Sequence, residues 1–153
     1  MMKAKLKGWK MSDNMLHATL VEVAGKGVLI KGKSQSCKSD LALRLIENKN
    51  AKLVADDVVI LEKQNNAIIG YAPDNIAGLL EVFGIGIIKM PYLEKCRIDL
   101  IVNTKDKSEN IERMPKEKKD VIFGLAIKQI DLYVKENSAT EKIMAVLKYE
   151  IGA

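Results

Sequence analysis

Lys38 and Ser39 close the stretch Gly32-Lys33-Ser34-Gln35-Ser36-Cys37-Lys38-Ser39. It departs at one position from G-x-x-x-x-G-K-[ST], a loop whose backbone N–H groups cradle phosphates at a helix N-terminus, while the lysine reaches the terminal phosphates and the hydroxyl sits on Mg²⁺. The chemistry such spacing could do is the binding and transfer of phosphoryl groups. Gly32, Lys33, Ser34, Gln35, Ser36, Cys37, Lys38 and Ser39 are then the candidate nucleotide-binding residues. The departure is Cys37, which stands where the second glycine belongs. A glycine there admits positive φ and brings backbone to phosphate without a Cβ, so a cysteine shifts or narrows the cradle. The plainer reading of the stretch is a surface turn that caps a helix.

Asp56 and Asp57 interrupt an otherwise apolar run over residues 52–62. Neighbours on a strand point to opposite faces, so one aspartate can face the loop while the other faces away or caps the strand end. Carboxylates among apolar residues are costly unless a metal, a partner cation or a substrate proton compensates them. Taken alone, a tight turn between two short strands explains the pair equally well. Behind a Lys-Ser loop, phosphoryl transfer is the better account. Glu81 is a further carboxylate in an apolar setting, and His17, the sole histidine, reads by itself as a polar residue on a strand's outer face.

These residues need a strand, a loop and a helix in that order. Val28, Leu29 and Ile30 supply the apolar strand, and Leu41, Ala42, Leu45 and Ile46 fall at helical spacing up to about Glu47. Residues 16–23 form a β-rich run that turns through Gly25-Lys26-Gly27 into the next strand as a hairpin. Gln64-Asn65-Asn66 marks a second hairpin. Pro73-Asp74-Asn75 opens a short helix at residues 76–82 that buries Ile76, Leu79 and Leu80 and carries Glu81 near its end. In the following segment Gly84 and Gly86 allow close approach of another backbone. Residues 97–103 make a strand, residues 111–115 a short one, and residues 121–134 two more. Ser138-Ala139-Thr140-Glu141 is a capping box before a last helix with Ile143, Val146 and Leu147 as its buried stripe. The sum is an α/β fold with a mixed, strand-rich sheet and a few flanking helices, over residues 15–150, after a loosely held leader at 1–14 in which Trp9 is the one anchor.

A chain of 153 residues suits one core. Hydrophobic residues make up 48% but aromatics only 5%, so Leu, Ile and Val must fill that core. The net charge of +5 sits on scattered lysines without interleaved aromatics, which leaves no stacking platform for nucleic acid. Residues 116–120 are of mixed sign and follow Pro115, as in an exposed loop. No apolar stretch reaches the ~18 residues of a membrane span, and the N-terminus has no signal-like apolar region, so the expected location is the cytoplasm. Cys37 and Cys96 have neither metal spacing nor a disulfide framework and are expected to be reduced. Cys37, beside Lys38 at a helix start, is a candidate for redox sensitivity, although a drifted glycine is the plainer reading.

With these motifs in hand, residues 16–147 resemble the catalytic domain of HPr kinase/phosphorylase, and more closely its short single-domain form from Gram-negative bacteria. His17-Ala18-Thr19, the 32–39 loop with Asp40-Leu41-Ala42-Leu43-Arg44-Leu45-Ile46, Leu53-Val54-Ala55-Asp56-Asp57, Ala77-Gly78-Leu79-Leu80-Glu81-Val82 and Gly84-Ile85-Gly86-Ile87-Ile88 fall in that family's order and spacing. The resemblance implies a P-loop kinase-like domain using ATP and Mg²⁺ to phosphorylate a serine of an HPr-like phosphocarrier protein. It implies Lys38 on the phosphates, Ser39 on Mg²⁺, Asp56 as the base that accepts the serine proton, Asp57 and Glu81 in support of metal and geometry, and His17 near the transferred phosphate. A homo-oligomer is also compatible with it. The chain departs from the family at Cys37, at Phe83 in place of an arginine, and in residues 135–140, which lack the arginine-rich segment of the long enzymes. Loss of that guanidinium removes a group able to stabilise transition-state charge. Two function classes follow: an active protein serine kinase whose reverse phosphorolysis is doubtful, or a regulatory homologue that keeps the fold with weakened ATP use.

Overall fold

The computed structural model describes residues 14–33 and 37–152. Most of the expected leader, including Trp9, and loop residues Ser34, Gln35 and Ser36 lie outside the described residues. Asn14, assigned by sequence to the leader, is tied to the domain: its carbonyl accepts a 2.8 Å hydrogen bond from the Leu61 amide.

In chain order the elements are β1 (Met15–Leu16), β2 (Thr19–Val23), β3 (Lys26–Lys31), α1 (Lys38–Lys49), β4 (Lys52–Ala55), β5 (Val59–Gln64), β6 (Ala67–Tyr71), β7 (Leu79–Val82), β8 (Gly86–Lys89), β9 (Cys96–Lys105), β10 (Lys118–Ile122), β11 (Leu125–Tyr133) and α2 (Ala139–Lys148). The main sheet runs β1-β5-β6-β9-β3-β2-β4, and β11 also joins β9, carrying β10 outside it. The long strand β9 organises this arrangement. Its start pairs antiparallel with β6, and from Leu100 onward it lies parallel to β11 on one side and to β3 on the other. Three parallel strands, β3, β9 and β11, therefore end at one edge of the sheet.

Their central residues are apolar without interruption because both faces are covered. Val28, Ile30, Leu100 and Val102 pack with Leu41, Leu45 and Ile143 of the two helices. The alternate residues Leu29 and Ile101 point the other way, into a second cluster with Leu20, Val59, Leu61, Ile68 and Ile122. Aliphatic side chains thus do the filling that the shortage of aromatics demanded.

The expected strand over 16–23 is broken at His17 and Ala18, and the β2–β3 hairpin, α1, the β5–β6 hairpin, β9, the β10–β11 pair and α2 form where the pattern placed them. Four expectations are corrected. Residues 76–82 are not a helix: a 3₁₀ turn at Asp74–Ile76 gives way to β7, since Gly78 at φ +79° ends any helical path. β7 pairs with β8 as a separate hairpin, Glu81 opposite Ile87, so Gly84 and Gly86 serve its turn and meet no other backbone within 4 Å. Residues 111–115 form no strand. Lys118, Lys119 and Asp120, expected in an exposed loop, belong to β10, and Asp120 Oδ2 accepts a 2.9 Å bond from Lys31 Nζ. At α2 the capping box does not close: Ser138 makes no side-chain cap, and Glu141 instead pairs with Lys49 of α1 at 3.0 Å.

Candidate active site

The site is assembled where β3 leaves the sheet and α1 begins. Gly32 follows β3 with φ +155°, and a Cβ there would stand 2.0 Å from Thr104 Oγ1, so both backbone shape and space require glycine. At the other end of the loop Cys37 is the N-cap of α1 in the left-handed region, φ 67° and ψ 31°. The backbone therefore takes the shape that a glycine would adopt freely and carries a thiol there. Its carbonyl accepts the first helical bond, from Leu41 N at 3.0 Å.

Lys38 is only 7% exposed and bridges both ends of the loop, donating to Lys33 O at 3.1 Å and Gly32 O at 3.4 Å. Burial pulls its pKa below the usual lysine value, opposed by the nearby charges of Asp56, Asp57 and Cys37. Its ammonium is held by neutral carbonyls, and an anion placed over the α1 N-terminus would meet both this cation and the unpaired amides of the first turn.

Next to it lies Asp56, buried at 5% exposure, just past the end of β4. Its Oδ1 accepts from Ser39 Oγ at 2.7 Å and from Thr19 Oγ1 at 2.8 Å, and its Oδ2 from the Glu81 backbone N–H at 3.2 Å. A buried carboxylate with three donors is fixed in position and needs no cation to satisfy it. The adjacent Asp57, at φ 75°, turns the chain so that its carboxylate points outward, 3.3 Å from His17 Nδ1. The break in the strand at His17 brings this about, since the Ala18 amide bonds the Asp57 carbonyl at 3.2 Å.

The structure thus joins Lys38, Ser39 and Asp56 in one cluster and sets His17 with Asp57 beside it. Glu81 meets the cluster through its amide, while its side chain is exposed on β7. Thr19 is the contributor that residue-type reasoning passed over. Its only signal is a hydroxyl in an otherwise apolar, fully buried strand. Ser39 Oγ and the Asp56 carboxylate are neighbouring hard oxygens of the kind Mg²⁺ takes, and that ion ordinarily uses one or two protein oxygens together with substrate phosphates. The donor set therefore fits Mg²⁺ with a nucleotide, on the loop side of α1.

Fold and site together define an α/β strand–loop–helix domain with a buried carboxylate facing a Lys-Ser helix start. The model of the HPr Serine kinase C-terminal domain matches residues 10–151, and the chain belongs to that family. It is 34% identical over 142 residues to the HPr kinase/phosphorylase of Lactobacillus delbrueckii subsp. bulgaricus, covering 86% of this chain and 45% of that protein. It is 36% identical over 141 residues to the protein of the same name from Bacillus cytotoxicus, covering 85% and 45%. The chain thus spans less than half the length of these curated relatives. Among solved structures, the Hpr(Ser) kinase/phosphatase from Coxiella burnetii superimposes with a TM-score of 0.78 at 26% identity, covering 88% of this chain and 93% of that one. The mixed-sheet α/β fold expected from the sequence is the fold of this catalytic domain.

Proposed function

We propose that this chain is an ATP- and Mg²⁺-dependent protein serine kinase that phosphorylates a serine of an HPr-like phosphocarrier protein, and so acts in the regulation of carbohydrate metabolism. The observation that carries this reading is the placement of Asp56 against Ser39 at the start of α1. Lys38, Ser39, Gly32, Lys33 and Cys37 would hold the nucleotide phosphates, with loop residues Ser34, Gln35 and Ser36 between them. Ser39, with Asp57 and Glu81 in support, would hold Mg²⁺. Bound there, the metal supplies charge neutralisation between the phosphates.

The protein's own part is positioning and one proton transfer. Asp56 Oδ1 already accepts a hydroxyl proton from Ser39 at 2.7 Å, the contact that a substrate serine hydroxyl requires. Ser39 occupies that lone pair in the absence of phosphate, and its release is what opens Asp56 to the incoming serine. The Thr19 hydroxyl and Glu81 amide keep the carboxylate aimed throughout. Lys38, poised by burial, regains full charge when phosphate approaches, and His17, oriented by Asp57, faces the same end of the site.

The test compares wild type with Asp56→Asn on an HPr-like carrier with Mg-ATP, reading phosphoserine by mass spectrometry. Transfer falls by about 10²–10⁴-fold in the variant, the usual contribution of a positioned base, while Mg-ATP affinity stays near the wild-type value. Retained transfer overturns the role of Asp56. A second reading, a regulatory homologue with weakened ATP use, rests on the thiol in the left-handed Cys37 position and on Phe83, 98% exposed at the β7–β8 tip, where a cation is absent. Wild type without transfer to the carrier favours that second reading.

A further inference from the structure

On the flank of α1 away from Asp56 lies a cleft of about 430 Å³, lined by Lys33 and Cys37 of the loop, residues 104–109 after β9, and residues 133–135 at the end of β11. It sits outside the carboxyl ends of three adjacent parallel strands, β3, β9 and β11, the position where open α/β sheets bind ligands. Its size falls within the ~300–1,000 Å³ of small-molecule sites. None of its residues apart from those of the loop belongs to the reaction cluster.

The cleft is preformed by its own hydrogen bonds. Tyr133 Oη donates to Glu109 O at 2.7 Å and accepts from the Ile111 amide at 3.0 Å, which fixes the ring and pins the 106–111 loop to β11. Lys107 Nζ lies 5.8 Å over the centre of that ring. Four lysines, Lys33, Lys105, Lys107 and Lys135, line the space against two carboxylates. Both carboxylates are engaged inside the loop: Asp106 accepts from the Ser108 amide and hydroxyl, and Glu109 accepts from the Asp106 amide with Lys105 3.8 Å away. What the cleft offers a ligand is an aromatic wall and a basic rim.

A ligand that reaches Asp56 at one end and lays phosphates over the α1 N-terminus has one direction left for its remainder, across β3 toward β9 and β11. Resting on the nucleotide reading above, we infer that this cleft is the nucleoside subsite: the base lies against Tyr133, under Lys107, and the ribose and inner phosphate face Lys33 and Lys135. The aromatic and the lysines grip any flat base, because the two side-chain hydroxyls of the cleft are committed elsewhere, Thr104 Oγ1 to Lys31 O and Tyr133 Oη to the loop backbone. Binding by stacking and charge discriminates poorly between purines.

The experiment is calorimetry of the full chain with Mg-ATP, Mg-GTP and Mg-inorganic triphosphate, for wild type, Tyr133→Leu and the rim variant Lys107→Ser, together with photolabelling by azido-ATP. Wild type binds ATP and GTP alike and at least about tenfold more tightly than inorganic triphosphate, the worth of one stacked base. Tyr133→Leu removes that advantage and leaves triphosphate binding unchanged, Lys107→Ser reduces it by a few-fold, and the photolabel enters residues 104–109 or 133–135. Equal affinity of wild type for ATP and triphosphate, equal losses of both in the variants, or a label in other peptides overturns the subsite while leaving the phosphate loop in place. Should neither ATP nor triphosphate bind, the nucleotide reading itself falls and the subsite falls with it. If Tyr133→Leu does not fold, Lys107→Ser and the photolabel decide.

Discussion

The two flanks of the α1 N-terminus are built on different physics. On the β2–β4 side, Asp56 is buried and held by two hydroxyls and an amide at 2.7–3.2 Å. On the β9–β11 side, the cleft presents long lysines around one ring whose hydroxyl is engaged with backbone. The first flank fixes a single oxygen to within a hydrogen bond. The second sets a field and a surface, and tolerates variation in what it contacts. Phosphoryl transfer needs the first quality where the proton moves, and only the second where the rest of the ligand is parked.

Lys38 belongs to both flanks, and its replacement sharpens the contrast most. Lys38→Met loses Mg-ATP affinity by at least about a hundredfold, the loss of a charge-assisted contact in a desolvated site. The same variant gains thermal stability in the absence of ligand, because an ammonium whose pKa burial has lowered is replaced by an apolar chain. Calorimetry and a melting curve read the two opposite signs, and a variant that loses both breaks the picture of a cation held at a cost for the ligand.

Cys37→Gly acts on the shared loop with a smaller effect. Relief of a left-handed cysteine, about 1–2 kcal/mol, is offset by the extra freedom of glycine in the unfolded chain, about 0.4–1 kcal/mol. A net gain below about 1 kcal/mol, or a few degrees in Tm, results. Mg-ATP binding tightens at the same time, since the Cβ and thiol leave the cradle. Unchanged affinity shows that the loop accommodates the thiol and that Cys37 is compatible with turnover.

The smallest effect is electrostatic and lies beside the cleft. Burial alone would raise the Asp131 pKa, but bonds from Lys118 and Asn103 and the charges of Lys118 and Lys105 hold it below the usual carboxylate value of 3.8. A lowered folded pKa means that this contribution is fully present above the unfolded value and disappears as pH falls through the folded one. Asp131→Asn therefore costs under about 1 kcal/mol at neutral pH and nothing at the acid end. Urea melts at neutral pH and below pH 3 test this, and an equal cost at both excludes the ion pair as its source.

Much of the fold was legible because hydrophobic period and turn chemistry agree along most of the chain. Lys38-Ser39 at a helix start and the opposite aim of two adjacent aspartates followed from strand geometry, and Asp56 and Asp57 do point apart. The failures have physical causes. Ile76, Leu79 and Leu80 have helical spacing, but a four-residue hairpin strand is too short to show its own period, and Gly78 decided the matter. Thr19 was invisible because threonine is ordinary on strands. The cleft was invisible because its residues come from the ends of three strands far apart in sequence, and no local pattern announces that they converge.

Arg44, midway along α1, donates to Val134 O at 2.9 Å and to Glu136 O at 3.2 Å. These two bonds tie the helix that presents Lys38 and Ser39 to the chain leaving β11, whereas Asp56 reaches that helix through the Ser39 hydroxyl. Mechanically, α1 and the far wall of the cleft move as one jaw, and the carboxylate stands on the other. A change in the gap between the two jaws lengthens the Ser39–Asp56 contact and leaves the shape of the cleft as it was.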